Sequence, residues 1–283
     1  MKIGIIVIWF NPDINVVNNL KTYYNKSDYL YIIDNSAYSN KHLLGDYDLK
    51  DNIKYVELKN NYGIAKALNI GMKLAIQDQC EWVVTMDQDS YWKNDLISIY
   101  TNYLNDKRDE KVAILSPQYE TERSQVKNKN GYKELKRVMQ SANMINCNKY
   151  IECGEFIEKL FIDCVDYEYC YRVRRKGYKI IQCEEAVLIH SPAITKKKKI
   201  LFFSLFYGYA SEERYYYQVR NALYLFRKYK DIYFILIVIY KFLKVIILFD
   251  NKNKYINTMI NGIIDCKNNN FGKREKCNGK RKN

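Results

Sequence analysis

The chain has 283 residues, 48% of them hydrophobic and 15% aromatic, with 11 Gly and only 3 Pro. That is enough apolar material for one large domain or two small ones, and it excludes a disordered or collagen-like chain. A net charge of +14 is unevenly placed: residues 1–110 hold 12 Lys/Arg and 15 Asp/Glu, residues 111–283 hold 34 and 17, so the basic part points to an anionic partner such as nucleic acid, a phospholipid surface or a phosphorylated substrate.

Residues 3–9 are apolar almost without a break, which predicts a buried strand, and Asn11-Pro12-Asp13 then turns the chain and can cap a helix over 14–24. No small-residue cleavage site follows this apolar run, so no secretory leader is expected. Strands are predicted at 29–33, stopped by Asp34-Asn35-Ser36, and at 53–58, stopped by Asn60-Asn61. Residues 62–77 carry Ile64, Ala67, Leu68, Met72, Ala75 and Ile76 at helical spacing. A fourth strand, 82–86, ends on Asp87-Gln88-Asp89. Continuous apolar strands alternating with helices predict an α/β fold with a mainly parallel central sheet, whose ligands sit beyond the carboxyl ends of the strands. Asp34, Asp87, Asp89 and the 60–63 turn all fall at such ends.

Further on, the pattern predicts a helix at 96–104, a strand at 112–115, a polar flexible loop at 120–133 and a strand at 137–146. Residues 167–176 read as a helix stopped by Gly177, followed by short strands at 180–183 and 186–189, the second ending at His190. Lys196-Lys197-Lys198-Lys199 precedes an aromatic-rich stretch, 201–209, and 212–229 is helical. Residues 232–249 hold 14 Leu/Ile/Phe/Val, worth roughly −4 to −8 kcal/mol for insertion, against about +5 to +7 kcal/mol for Lys241 and Lys244. The two nearly cancel, so a helix packed in the core or lying on a membrane is expected rather than a span. Residues 250–283, with nine Lys/Arg against three acids, suit attraction to anionic lipid as well as a plain solvated tail. Eight cysteines form no C-x-x-C pair and no zinc spacing, so a reducing cytosol is expected, with thiols acting as small hydrophobes.

Asp87 and Asp89, one residue apart at a strand end, can hold a divalent cation and leave positions open for phosphate oxygens; in a surface loop the same pair is only solvated charge. Asp34 can accept from a nucleobase or ribose, or merely form a turn. Residues 61–69 can aim a helix N-terminus at phosphate, or be an ordinary capped helix with Gly63 chosen for packing. Asp163, Asp166 and Glu168 at a helix start, followed by Arg172, Arg174 and Arg175, offer a general base and cations for an anionic leaving group, although the helix dipole alone favours such acids. His42 reads as a surface residue, and His190 as a metal ligand or a structural side chain.

As an ordered set, these residues resemble the inverting family-2 glycosyltransferases, in particular the bacterial rhamnosyltransferase-like branch. The resemblance spans most of residues 3–230 and is carried by 7–13 with Asn11, Ile33-Asp34-Asn35-Ser36, 61–69 with Asn61, Gly63 and Lys66, Met86-Asp87-Gln88-Asp89-Ser90, and 160–168 with Asp163 and Asp166. It continues through Arg172, Gly177-Tyr178, His190 and the segment from Arg214 to Arg220-Asn221. It implies a GT-A, Rossmann-like fold, a nucleotide-sugar donor and Mn2+ or Mg2+. By position Asp34 meets the base, Asp87 the ribose, Asp89 and His190 (with Asp87) the metal, and Asp166 is the catalytic base with Asp163 in reserve. Asn11, Asn61, Gly63, Lys66, Arg172, Arg214 and Arg220 fall on the donor side, the last two in a segment whose role the resemblance leaves open. That segment lacks the Q-x-x-R-W pattern of processive synthases. Two departures, Ala142 after Ser141 and Ser191-Pro192 after His190, fall where acceptor recognition is expected.

The resemblance therefore implies a glycosyltransferase domain over 1–230, divided into a nucleotide-sugar half (1–115) and an acceptor half (116–230), and a helical, basic, membrane-proximal extension over 231–283. The expected reaction moves one sugar, rhamnose from dTDP-rhamnose, to a lipid-linked surface glycan at the cytoplasmic face of the membrane. No nucleic-acid partner is expected. A UDP-hexose donor is the nearer alternative, and a non-catalytic basic protein binding anionic membrane or nucleic acid the more distant one.

Overall fold

The computed structural model describes residues 1–126, 130–190, 194–200 and 203–275. Ser191, Pro192 and Cys277 lie outside the described residues. The chain forms two compact units, Met1–Phe156 with Asp166–Ala210, and Ile157–Val165 with the chain from Ser211 onward. The boundary expected at 230 falls between two helices of this second unit.

In the first unit the apolar runs become β1 (Ile3–Trp9), β2 (Tyr29–Asp34), β3 (Ile53–Glu57) and β4 (Trp82–Asp87), joined by α1 (Asn15–Leu20) and α2 (Ile64–Gln77). They continue into β5 (Ser90–Trp92), α3 (Leu96–Lys107), β6 (Val112–Glu120), β7 (Tyr132–Glu134), β8 (Asn143–Asn146), α4 (Cys147–Cys153), α5 (Val165–Arg175) and β9 (Lys179–His190). The sheet order is β3-β2-β1-β4-β8-β6-β9-β5, with β7 also on β9. β1, β2, β3 and β4 are parallel neighbours, β6 pairs parallel with β9, and β8, β5 and β7 run antiparallel to their partners. This is the mainly parallel sheet expected. β1 is buried along its whole length, as a strand covered on both faces must be. Apart from this sheet, β10 (Ile194–Ile200) and β11 (Phe203–Tyr209) form an antiparallel hairpin.

Several boundaries differ from expectation. α1 stops at Leu20 because Thr22 Oγ1 and Thr22 N–H both bond to the Asn19 carbonyl and tighten the chain into turns. The 120–133 stretch holds a Thr121–Ser124 bridge and the start of β7. Within 137–146 only the last four residues are a strand, and α4, capped by the Asn146 side chain on Lys149 N–H, follows at once. The two short strands at 180–183 and 186–189 are one, since a register shift against β6 absorbs the charged Glu184-Glu185 pair. Gly177 ends α5 as expected, at φ 83°.

The second unit comprises residues 157–165 and the helices α6 (Glu212–Tyr229), α7 (Tyr233–Leu248) and α8 (Lys252–Lys267). Within 250–283, the basic end of the helical extension expected over 231–283, residues 252–267 form α8, where Tyr255, Met259 and Cys266 make a buried stripe that the basic composition conceals. α7 buries Phe234, Val238, Val245 and Leu248, while Ile232, Leu236, Ile239, Tyr240, Leu243, Ile246 and Ile247 are exposed along the opposite side. Among the described residues no helix is long and apolar enough to cross a membrane.

Candidate active site

Strand pairing builds the site. β1 lies between β2 and β4 with Trp9 opposite Asp34 and Ile8 opposite Asp87, so two carboxylates flank the carboxyl end of one buried strand. The loops that follow are tied together. Asn11 N–H donates to Ser36 Oγ (2.7 Å), Asn35 Nδ2 to Asn61 Oδ1 (3.2 Å), Tyr62 N–H to Asn35 Oδ1 (2.8 Å), and Phe10 N–H to Gln88 Oε1 (2.7 Å). Asn61 Oδ1 also accepts from Gly63 N–H (3.0 Å), and Gly63, at φ 88°, opens α2 with half-buried Lys66 in its first turn. Only a residue without Cβ takes that conformation freely.

Asp34 is 1% exposed. It accepts from Ser36 N–H (3.1 Å), from Asn40 N–H and Nδ2 (2.9 Å each) and from the Tyr55 hydroxyl. Burial alone raises its pKa, but these donors outweigh burial and hold it below the usual carboxylate value.

After Asp87 the chain turns back through Gln88-Asp89 into β5, which pairs antiparallel with the end of β9 so that Ser90 faces His190. One ligand atom each from Asp87, Asp89 and His190 lie within 4.8 Å of one another. His190 is nearly buried, with Nδ1 2.7 Å from Ser90 Oγ and 3.5 Å from Asp89 Oδ1. Burial would lower its pKa, yet the hydrogen bond to Asp89 and the charges of Asp87 and Asp89 raise it above the usual value. Ligands of one cation at about 2.2 Å stand no more than roughly 4.4 Å apart, so this trio needs only slight closure around an ion. Two carboxylates and one imidazole fit a Mn2+-type cation better than a thiolate-seeking one. The Ser90 contact is the kind of outer contact that orients a metal-bound histidine.

Asp166 stands in the first turn of α5, where the helix dipole favours a carboxylate, and accepts from Tyr167 N–H (2.8 Å). Half-buried Tyr119, on β6, links it to the rest, a residue that no sequence signal marked. Its hydroxyl donates to the Met139 carbonyl (2.9 Å). Burial raises its pKa, a hydrogen bond with Ser116 opposes that, and the charges of Asp166 and Asp87 add to the rise. Both carboxylates thus act on one hydroxyl. Ser141 Oγ, beside the departure at Ala142, accepts from Asp87 N–H (3.1 Å).

Other expected site residues are engaged within the protein. Arg172 pairs with fully buried Glu168 (2.8 Å) and donates to the carbonyls of Cys153, Gly154 and Glu155, capping the end of α4. In the second unit Arg214 forms two 2.8 Å bonds with Asp163, and Arg220, 1% exposed, donates to the carbonyls of Leu160 and Gly272.

Comparison with known proteins gives the family and the fold. The profile of the family described as "Glycosyl transferase family 2" matches residues 14–157, a stretch that holds Asp34, Asn61, Gly63, Lys66, Asp87 and Asp89. The chain is 27% identical over 248 residues to the dTDP-rhamnosyl transferase RfbF of Shigella flexneri, covering 79% of each. Among solved structures it is similar to GalNAc-T7 crystallised with UDP, GalNAc and Mn2+ (TM-score 0.56, 14% identity, 67% of this chain and 44% of that one). It is also similar to S. aureus TarS (TM-score 0.50, 14% identity, 93% and 43%). The chain spans less than half the length of these two structures, and at such identity the likeness shows the fold alone, the GT-A arrangement.

Proposed function

The chain belongs to glycosyl transferase family 2, and on that premise we propose that this glycosyltransferase moves a single rhamnose from dTDP-rhamnose onto a lipid-linked surface glycan, with inversion at the anomeric carbon. The observation that carries the reading is the Asp87–Asp89–His190 trio at the strand ends, in a chain similar over most of its length to a dTDP-rhamnosyl transferase. Asp34 would meet the base and Asp87 the ribose, while Asn11, Asn61, Gly63 and Lys66 form the donor-side rim in the 1–115 half. Mn2+ or Mg2+ held by Asp87, Asp89 and His190 would neutralise charge gathering on the departing nucleoside diphosphate. In the 116–230 half, Asp166 takes the proton of the acceptor hydroxyl as its oxygen bonds to the anomeric carbon and the carbon–oxygen bond to the diphosphate breaks on the opposite face.

The membrane part of the reading is supported by the exposed apolar side chains of Ile232 and of six residues of α7, and by the net basic charge of 111–283. An exposed stripe of that size suits a lipid surface, with each nearby basic residue adding about 1 kcal/mol on anionic lipid. On this reading 231–283 is the extension that brings a cytoplasmic enzyme to the inner membrane face. The direct test is a melting screen of nucleotide sugars with and without Mn2+, since a ligand bound only by the native state raises its melting point. dTDP-rhamnose should give the largest Mn2+-dependent rise. A rise with UDP-hexoses alone would move the assignment to that donor class, and none with any nucleotide sugar would overturn it.

A further inference from the structure

The α6 segment from Arg214 to Asn221 converges, within its own unit, on residues 159–164. There the backbone is strained. Phe161, Asp163 and Cys164 have φ of 66°, 64° and 62°, left-handed values that residues bearing a Cβ rarely adopt. Around Phe161 (ψ −67°) the Ile162 N–H donates to the Leu160 carbonyl at 2.8 Å, which makes the rare, strained form of the γ-turn. No glycine relieves it. Such a conformation persists only where its surroundings over-determine it.

Asn221 supplies much of that constraint. It is fully buried, and its amide donates to the carbonyls of Leu160 (2.9 Å), Ile162 (2.7 Å) and Asp163 (2.9 Å), which the turn gathers on one side. Its Oδ1 accepts from Arg220 Nε (3.0 Å), which fixes the amide's direction. Arg220 itself donates to the Leu160 carbonyl (3.1 Å). Arg214 grips the Asp163 carboxylate through two parallel bonds. Arg214, Gln218 and Asn221 are spaced four and three residues apart and so lie on one helix face; Gln218 Nε2 also reaches Asp163 Oδ1 (3.4 Å). The Phe161 ring stacks on Tyr217 at 5.2 Å.

The clamped turn ends where α5 begins, at Val165, and Asp166 is the helix's second residue. We propose that Asn221 and Arg214 are positioning residues for sugar transfer: they hold residues 160–164 in the left-handed conformation and thereby set the start of α5 and the presentation of the Asp166 carboxylate. The kinetic half of this rests on Asp166 being the base, whereas the clamp itself does not.

The test uses the full chain with Asn221→Ala. Hydrogen exchange across 160–166 should quicken at least about tenfold while that of β1 and β4 is unchanged. Release of dTDP from dTDP-rhamnose, with a membrane lipid extract as acceptor, should slow about 10- to 100-fold in kcat. Mn2+-dependent dTDP binding should stay within about twofold. Adding Cys164→Gly should recover at least about threefold of the lost kcat, because glycine adopts φ near 62° without strain. Arg214→Lys, on a side chain 43% exposed, should give a weaker version of the same pattern and covers the case in which Asn221→Ala does not fold. Unchanged exchange would overturn the clamp. Quickened exchange with normal kcat, or dTDP binding lost in step with kcat, would overturn the positioning role. Normal turnover by Asp166→Asn would instead sink the base assignment, and the exchange result would still decide the clamp.

Discussion

Ser90 and His190, one hundred residues apart in the chain, face each other across the β5–β9 ladder with Ser90 Oγ 2.7 Å from His190 Nδ1. Ser90→Ala keeps all three potential ligands but frees the imidazole to turn, so Mn2+ affinity should fall about 10-fold. Asp89→Ala removes a proposed ligand and should abolish the Mn2+ dependence of dTDP binding. Calorimetric titration with and without the ion checks both, and identical titrations for wild type and Asp89→Ala would rule out Asp89 as a ligand.

Asp166→Asn preserves shape and removes the proposed proton acceptor. Transfer should drop by about 10²- to 10⁴-fold, the range of general base catalysis, while Mn2+-dependent dTDP affinity remains. Single-turnover assays after donor loading separate the two, and near-normal turnover would refute the assignment.

Asp34 predicts an acid-side dependence of stability. Its folded pKa is depressed, so the unfolded chain binds the proton more tightly. The stabilisation is complete above the ordinary aspartate value of about 4 and disappears as pH falls through the lower, folded value. Asp34→Asn should therefore be less stable at neutral pH and converge on wild type in acid. Urea midpoints across that range measure it, and parallel curves for the two proteins would show that the proton is not linked to folding.

The α7 stripe predicts lipid binding. Leu236→Glu with Leu243→Glu should weaken cosedimentation with phosphatidylglycerol vesicles at least about tenfold, and leave dTDP binding intact. Equal pelleting of variant and wild type would show that this side does not meet lipid.

How much of this was legible beforehand depended on the range of the contacts involved. β1, β2 and β4, with Asp34 and Asp87 at their ends, could be read because a buried parallel strand is a local apolar run and a ligand-bearing strand end is a local polar stop. The pairing of Ser90 with His190 could not, since three-residue β5 carries no periodicity of its own and exists through β9. α8 was hidden by composition: lysines and asparagines cover a stripe of only a few buried residues. Asn221 was visible within a motif but mute, because its role depends on carbonyls 58 to 61 residues upstream, which no spacing rule connects. Arg172 is ambiguous for the complementary reason, since a cation beside acids reads alike in the sequence whether or not it also binds, as here, the carbonyls that finish α4.

The assignment of residues 157–165 to the second unit means that the polypeptide passes between its two units three times, after Phe156, Val165 and Ala210. Recombination at a single junction therefore cannot exchange one unit for a homologous one. A chimera joined only at 210 would set the 159–164 backbone of one parent against the Asn221 and Arg214 of another, so those positions must be inherited together, and gene-shuffling libraries should recover them as a linked block.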